Sequence, residues 1–267
     1  MTELPAIAFI GAGNMGSAII AGLRQRSQPP AITVIDPSAE IRQRHAEAGL
    51  EVSAQPESAA ASTIVVLAVK PQVVDQVLAQ LKPVLGAQHL VISILAGTTT
   101  ARIEAGLESG VRVIRSMPNT PMAIGQGMVA ICAGSAAQPE DMDLAEAIFS
   151  GGAEVLRVAE TQMDAVTAVS GSGPAYLFRF AEAQITAAMS LGFNRDQACQ
   201  LIGQTLAGSI AYLRSQDGFP ATRLREQVTS PGGTTAAALA VFEAADFDAL
   251  VTRALTAARD RGIELAS

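Results

Sequence analysis

The first 160 residues alternate short apolar runs with helical patterns, and that alternation restricts the chain to few architectures. The runs are AIAFI (6–10), ITVID (32–36), TIVVLAV (63–69), HLVISIL (89–95), VRVIRS (111–116) and GMVAICA (127–133). Rich in Val and Ile and lacking a polar face, each suits a strand covered on both sides, as in a parallel sheet whose crossover helices pack above and below. The expected class is α/β, a doubly wound sheet of the Rossmann type. From about Asp164 the β-branched runs disappear, and the Ala- and Leu-rich windows PAYLFRFAEAQITAAMSLGF, RDQACQLIGQTLAGSIAYLRS and TTAAALAVFEAADFDALVTRALTAARDRGIELA predict an all-helical part. The first of these carries only Arg179 and Glu182 as charges between Pro174 and Asn194, so it is apolar around most of its circumference and belongs in a bundle centre or an oligomer interface. The boundary falls near residue 160, giving one domain over 1–160 and a second, helical one over 161–267.

The first apolar run leads into IGAGNMGSAI, a G-x-G-x-x-G at Gly11, Gly13 and Gly16 between a strand and a helix. The three glycines allow, in turn, a tight turn, close approach of the backbone to a pyrophosphate, and close packing of helix on strand. Helix-start N–H groups and the helix dipole then favour the negative charge of a dinucleotide. Asp36 ends the second run 20 residues past Gly16, where an acidic side chain accepts hydrogen bonds from the adenosine ribose of NAD. Ser38, Arg42 and Arg44 follow at once, and either arginine could instead face a 2′-phosphate; a turn Asp with solvated arginines is a third reading. The choice between NADPH and NADH stays open here. LAVKPQ (67–72) closes another strand at the sheet edge where ligands bind, with Pro71 suited to a first helical turn and Lys70 either a ligand-facing cation or a solvated one.

Composition excludes several classes. A net charge of −7 with no basic run argues against nucleic-acid binding, and no apolar segment reaches the roughly 18 residues of a membrane span. The start, MTELPAIAFIGAG, lacks the charged and apolar regions of a secretory signal, so a cytoplasmic enzyme is expected. Cys132 and Cys199 stand 67 apart without CxxC spacing or neighbouring histidines, which predicts two buried thiols, no disulfide and no metal site. With 49% hydrophobic and 16% charged residues, the surplus apolar surface is best buried between subunits.

Two segments of the helical half lead small polar residues into a helix: SGSGPAY (170–176) and TSPGGTT (229–235). Helix amino ends expose N–H donors, Ser and Thr add hydroxyls, and glycines admit a small ligand to the backbone, so a carboxylate can be held without Lys or Arg. Two ordinary helix caps would look the same.

Taken in order, FIGAGNMG, AVKPQ, RSMPNTP (115–121), DAVTAVSGSGPAY (164–176) and VTSPGGTT (228–235) resemble the pyrroline-5-carboxylate reductase family over nearly the whole chain. The resemblance implies reduction of 1-pyrroline-5-carboxylate to L-proline by NADPH or NADH, the last step of proline biosynthesis, and a homodimer interlocked through the helical domain that assembles further, as in a decamer. It maps the substrate-carboxylate loop onto Ser230, Gly232, Gly233 and Thr234, and the threonine beside the ring nitrogen onto Thr235. Cofactor contacts map onto Gly11, Ala12, Gly13, Asn14 and Met15, onto Ala68, Val69, Lys70 and Pro71, and onto Ala96. Gln55 stands where many members have Asn, and Leu95 where Ala is usual.

The helical half contains neither His nor Lys; the chain's histidines are His45 and His89 and its lysines Lys70 and Lys82. The expected substrate therefore arrives already protonated as an iminium, with Thr235 at its nitrogen and positioning supplying much of the rate. A β-hydroxyacid-dehydrogenase-like enzyme would need a helical-half lysine, and a lactate-type dehydrogenase a His paired with a carboxylate. A related imine reductase, a nucleotide-sensing module without catalysis and a methyltransferase are the remaining alternatives; the last would not explain the second-half loops.

Overall fold

The computed structural model describes residues 3–266. The chain divides into two compact units, one running to Pro174 and taking in the segment from Ala257 onward, the other Ala175–Thr256.

In the first unit, eight strands among the described residues form one sheet in the order β3-β2-β1-β4-β5-β6-β7-β8. They are β1 (Ile7–Ile10), β2 (Ile32–Ile35), β3 (Glu51–Ser53), β4 (Ile64–Leu67), β5 (Leu90–Ser93), β6 (Arg112–Pro118), β7 (Gly127–Ala133) and β8 (Ala153–Arg157). Between them lie α1 (Asn14–Arg24), α2 (Ala39–Glu47), α3 (Val74–Leu81), α4 (Thr100–Gly106) and α5 (Pro139–Phe149). β1 pairs in parallel with β2 on one side and β4 on the other. The chain thus builds outward to β3, crosses back, and continues in the opposite direction from β4, so the winding reverses between β1 and β4. Their carboxyl ends open the crevice in which open α/β sheets bind ligands.

Both faces of the central strands are apolar because both are covered. Ile7, Phe9, Val34 and Val66 pack with Ile19, Ile20 and Leu23 of α1 and with Ile148 and Phe149 of α5. Ala8, Ile10, Val65 and Val91 face the other way, onto Val74, Leu78 and Leu81 of α3 and Ile103 of α4. Leu95 is buried in this second layer. Burying each large side chain contributes roughly 1.5–3 kcal/mol.

The sheet is not wholly parallel as the apolar runs suggested. β6 and β7 pair antiparallel, because the connection between them is a single 3-10 turn (Thr120–Ile124) ending at Gly125, far too short for a parallel crossover. β3 escapes the sequence reading because it is three residues long and none of them is fully buried.

α6 (Met163–Val166) and a π-helical turn over Thr167–Gly171 run into α7 (Gly173–Ser190), followed by α8 (Arg195–Arg214), α9 (Ala221–Gln227), α10 (Thr234–Ala244) and α11 (Phe247–Ala266). SGSGPAY therefore does not open a helix with unpartnered amides as expected. The Ser172 N–H bonds back to the Thr167 carbonyl at 2.8 Å, so the helical chain is continuous through it. In the second unit Ala198 is the one buried hydrophobic residue, while Phe178 (61% exposed), Leu191, Tyr212 and Val241 stand in the open. That is far more uncovered apolar surface than a lone chain usually keeps. No described helix is long and apolar enough to cross a membrane.

α5 rests on Asp141, whose fully buried carboxylate accepts the Gln138 N–H at 2.8 Å and the Arg112 guanidinium at 2.5 Å. Asp141→Ala removes the cap and strands the guanidinium, a loss of about 1–3 kcal/mol. The thermal midpoint should fall by several degrees in differential scanning calorimetry, and an unchanged midpoint would show that α5 does not depend on this carboxylate.

Candidate functional site

The glycine turn sits where β1 and β4 end side by side. Gly11 has φ +86°, and a Cβ built there would lie 2.8 Å from the Ala68 carbonyl oxygen, so both backbone geometry and space exclude a side chain. Gly16 is nearly as tight, 3.1 Å from the Gly11 carbonyl. Gly13 has nothing within 4 Å of its Cβ position and is exposed together with Asn14. Gly11 thus makes the tight turn and Gly16 the close helix packing that the spacing predicted, and the position of Gly13 is open.

A polar network fixes this turn. The Ala12 N–H donates to Asp36 Oδ2 at 3.0 Å, and Asp36 Oδ1 accepts the Ser38 N–H at 2.8 Å. The Ala12 amide is therefore already engaged by Asp36. The Ser17 hydroxyl donates to the Ala12 carbonyl at 2.8 Å, and its oxygen lies 3.2 Å from His45 Nε2. His45 is buried behind the turn. His45 was not legible as a site residue, since a lone His in a polar helix gives no signal.

At the carboxyl end of β4, Ala68 and Val69 are half-buried and Lys70 is exposed. Pro71 opens a 3-10 turn that feeds α3. A cleft of about 310 Å³ opens beside it, lined by Pro71, Gln72, Ala96, Thr98, Arg102 and Thr167, with Gly262 at its edge. Arg102 is held there by a two-point ion pair with Asp75 at 2.8 and 3.2 Å, whose guanidinium keeps that carboxyl below its ordinary range. Gln55 occupies the N-cap position of the 3-10 turn Pro56–Ala61, with no capping bond from its side chain.

The RSMPNTP and DAVTAVSGSGPAY segments meet within the first unit. Arg115, 3% exposed on β6, reaches Asp164 at 3.1 Å and Glu160 at 3.4 Å. Glu160 also accepts the Thr100 N–H at 2.7 Å and its hydroxyl at 2.6 Å. Asn119 donates to the Ser170 carbonyl at 3.1 Å and accepts the Met128 N–H at 2.9 Å. These residues tie the stretch before α7 to the sheet, a role visible in sequence only as membership of the two segments.

The Ser230–Thr235 loop lies in the second unit. The Gly233 N–H closes a turn onto the Ser230 carbonyl at 3.0 Å, with Pro231 and Gly232 (φ +69°) inside it, the residue pair a type II turn requires. Gly233 is the N-cap of α10 and supplies no side-chain oxygen to the first-turn amides. The Thr234, Thr235 and Ala236 amides accordingly form an uncapped helix mouth, with Thr235 half-buried and Ser230, Gly232 and Thr234 exposed.

Such a cradle at the switch point of a doubly wound sheet, in a chain with a helical half of uncovered apolar faces, defines a dinucleotide-dependent oxidoreductase with an oligomerising half. Residues 6–97 match the family model described as NADP oxidoreductase coenzyme F420-dependent, and residues 160–265 that described as Pyrroline-5-carboxylate reductase dimerisation. The chain belongs to the pyrroline-5-carboxylate reductase family. It is 43% identical over 266 residues to the enzyme of that name from Pseudomonas aeruginosa, covering 98% of this chain and 97% of the relative. The corresponding Synechocystis protein is 40% identical, with 97% of each covered. A solved pyrroline-5-carboxylate reductase from Coxiella burnetii superposes with a TM-score of 0.92 at 36% identity, over 99% of this chain and 100% of that one. The Plasmodium falciparum pyrroline carboxylate reductase, solved with NADP bound, gives 0.88 at 30% identity over 100% of both.

Of the two thiols expected to be buried, Cys132 is and Cys199 is exposed on α8. Burial, aided by the Glu160 charge and opposed by Arg115, pushes the Cys132 thiol up to about 11 from 9.0. The unfolded chain then loses this proton first, so its contribution to stability is present below about pH 9 and lost as pH rises toward 11. Iodoacetamide at pH 8 followed by peptide mass analysis should leave Cys132 unmodified in the native protein and alkylate it in guanidinium. The glycines give a second test: Gly13→Ala should weaken NADPH binding with the melting temperature unchanged, whereas Gly11→Ala should lower both, the backbone strain alone costing about 1–3 kcal/mol. Equal behaviour of the two variants in fluorescence titration and thermal melts would refute the division of tasks.

Proposed function

We propose that this chain reduces 1-pyrroline-5-carboxylate to L-proline, the last step of proline biosynthesis, with NADPH as the preferred cofactor and NADH as a possible one. The observation that carries the reading is the uncapped mouth of α10, a site for a small carboxylate built from amides and hydroxyls in a half of the chain that has no His and no Lys. Full-length kinship with enzymes of this name supports it.

The first unit fits the dinucleotide: the exposed Gly13 and Asn14 amides begin α1, and Gly11 leaves no side chain against β4. We assign cofactor contacts to Gly11, Ala12, Gly13, Asn14, Met15, Gly16, Ala68, Val69, Lys70, Pro71 and Ala96. Asp36 joins them as the residue that holds the turn. When bound, the reduced nicotinamide supplies a hydride. Ser230, Gly232, Gly233 and Thr234 grip the substrate carboxylate through main-chain N–H groups and hydroxyls, strengthened by the positive end of the helix. Thr235, one residue further into the helix, hydrogen-bonds the ring nitrogen. With no general acid in that half, the ring enters as the iminium, and hydride addition at C5 converts the charged C=N into the neutral secondary amine of proline. The residues orient the ring and exchange no proton with it during the step.

We divide the chain functionally into a dinucleotide-binding domain over 1–160 and a helical dimerisation and substrate domain over 161–267, a division supported by the reach of the dimerisation model from residue 160. The helical half carries the homodimer and any higher assembly, such as a decamer, and the enzyme works in the cytoplasm.

Adding pyrroline-5-carboxylate to enzyme and NADPH should bleach the 340 nm absorbance with stoichiometric proline formation; none would remove the assignment. Thr235→Ala should lower kcat on the order of 10- to 100-fold, the equivalent of roughly 1.5–3 kcal/mol for a hydrogen bond to a charged group. NADPH affinity should stay within about twofold. Wild-type kinetics from that variant would show that Thr235 does not meet the nitrogen.

A further inference from the structure

The loop that carries Ala96 joins β5 to α4 and lines the cleft of about 310 Å³ with Ala96, Gly97 and Thr98. Its near end is fixed to the sheet, where the Ile94 N–H donates to the Leu67 carbonyl at 3.1 Å and the Leu95 N–H to Ser93 Oγ at 3.3 Å. Its far end is held from another part of the chain. The Glu160 carboxylate accepts the Thr100 N–H on one oxygen at 2.7 Å and the Thr100 hydroxyl on the other at 2.6 Å, across 60 residues of sequence. Hydrogen bonds to an ionised acceptor are roughly twice as strong as neutral ones, and two of them on one residue fix its orientation as well as its place.

This clamp is more than α4 needs as a cap. Thr99 already caps that helix by accepting the Arg102 N–H at 3.2 Å. What Glu160 adds is a fixed spacing. Thr167, which lines the same cleft, follows Glu160 by seven residues. The stretch between them is pinned to the sheet by Arg115, 3% exposed, which reaches Glu160 at 3.4 Å and Asp164 at 3.1 Å. The wall made by Ala96–Thr98 and the wall made by Thr167 are therefore tied to each other through one carboxylate. Such spacing matters to a hydride transfer, in which a displacement of about 1 Å can cost on the order of 100-fold in rate.

We propose that the Glu160–Thr100 clamp is a positioning device for the reduction: Glu160, acting through Thr100, holds the Ala96–Thr98 loop in register for hydride transfer and touches neither cofactor nor substrate. The proposal rests on the reductase reading and on the assignment of Ala96 to the cofactor.

Three variants of the full chain separate positioning from folding. Glu160→Ala removes both bonds, Thr100→Val only the hydroxyl bond, and Glu160→Gln keeps an acceptor for the N–H and a donor for the hydroxyl oxygen. Glu160→Ala should lower kcat about 10- to 100-fold, while the KM for pyrroline-5-carboxylate and the Kd for NADPH stay within about twofold. Thr100→Val should fall between wild type and Glu160→Ala, and Glu160→Gln should recover most of the loss. Hydrogen exchange read by mass spectrometry, without ligands, should quicken over residues 94–100 in Glu160→Ala and stay at the wild-type rate in β1 and α1. Wild-type kcat in Glu160→Ala or Thr100→Val overturns the proposal, as does a loss that Glu160→Gln shares in full. So does an equal loss of NADPH affinity, unchanged exchange in the loop, or faster exchange throughout the sheet. Failure of wild type to reduce pyrroline-5-carboxylate would count against the substrate assignment, and the exchange measurement would still decide whether Glu160 holds the loop.

Discussion

The close approach of Gly11 to the Ala68 carbonyl is the constraint on which the rest of the first unit depends. Two strand ends can meet there only if one of them carries no side chain, since a Cβ would sit 2.8 Å from a backbone oxygen that cannot move without the sheet. Because the strands meet, the first turn of α1 starts at the switch point with its amides outward. Asp36, Ser17 and His45 then hold that turn from behind, through bonds to the two sides of the Ala12 peptide. The turn is preorganised by a space too small for a methyl group and by its bonds to Asp36 and Ser17.

A second device of the same kind ties the stretch preceding α7 to the sheet. Arg115 is almost fully buried yet charged, a condition tolerable only because Glu160 and Asp164 both reach it and Glu160 is in turn satisfied by Thr100. Asn119 adds a second tie by donating to the Ser170 carbonyl. A bonded guanidinium specifies direction and register in a way that an apolar patch of the same size would not.

The legible parts of the sequence were those in which one residue type has one physical use. Alternating Val- and Ile-rich runs predicted six of the strands because a buried parallel strand has no other way to satisfy both faces, and Gly11, Gly13 and Gly16 marked the cradle because only glycine can occupy the first of them. The three-residue β3 was invisible, since a short edge strand buries too little to demand apolar residues. The antiparallel β6–β7 pair was misread because strand direction is set by the length of the connection rather than by the strand itself. SGSGPAY looked like TSPGGTT on paper, yet one lies in a continuous helical run and the other forms a turn and an uncapped helix start.

What the sequence by itself determined is the class of fold, the location of the phosphate turn, the helical character of the second half and, through its ordered segments, the family. These follow from local chemistry: periodicity, glycine's freedom and the lack of alternatives for apolar runs. Tertiary structure decided the partners. That the Asp36 carboxylate faces inward toward Ala12, that His45 stands behind the turn and that Arg115 meets two acids depend on residues 24 to 49 positions apart along the chain. No spacing rule links them, because hydrogen bonds across elements are chosen by how helices settle on the sheet, which is a property of the packed whole.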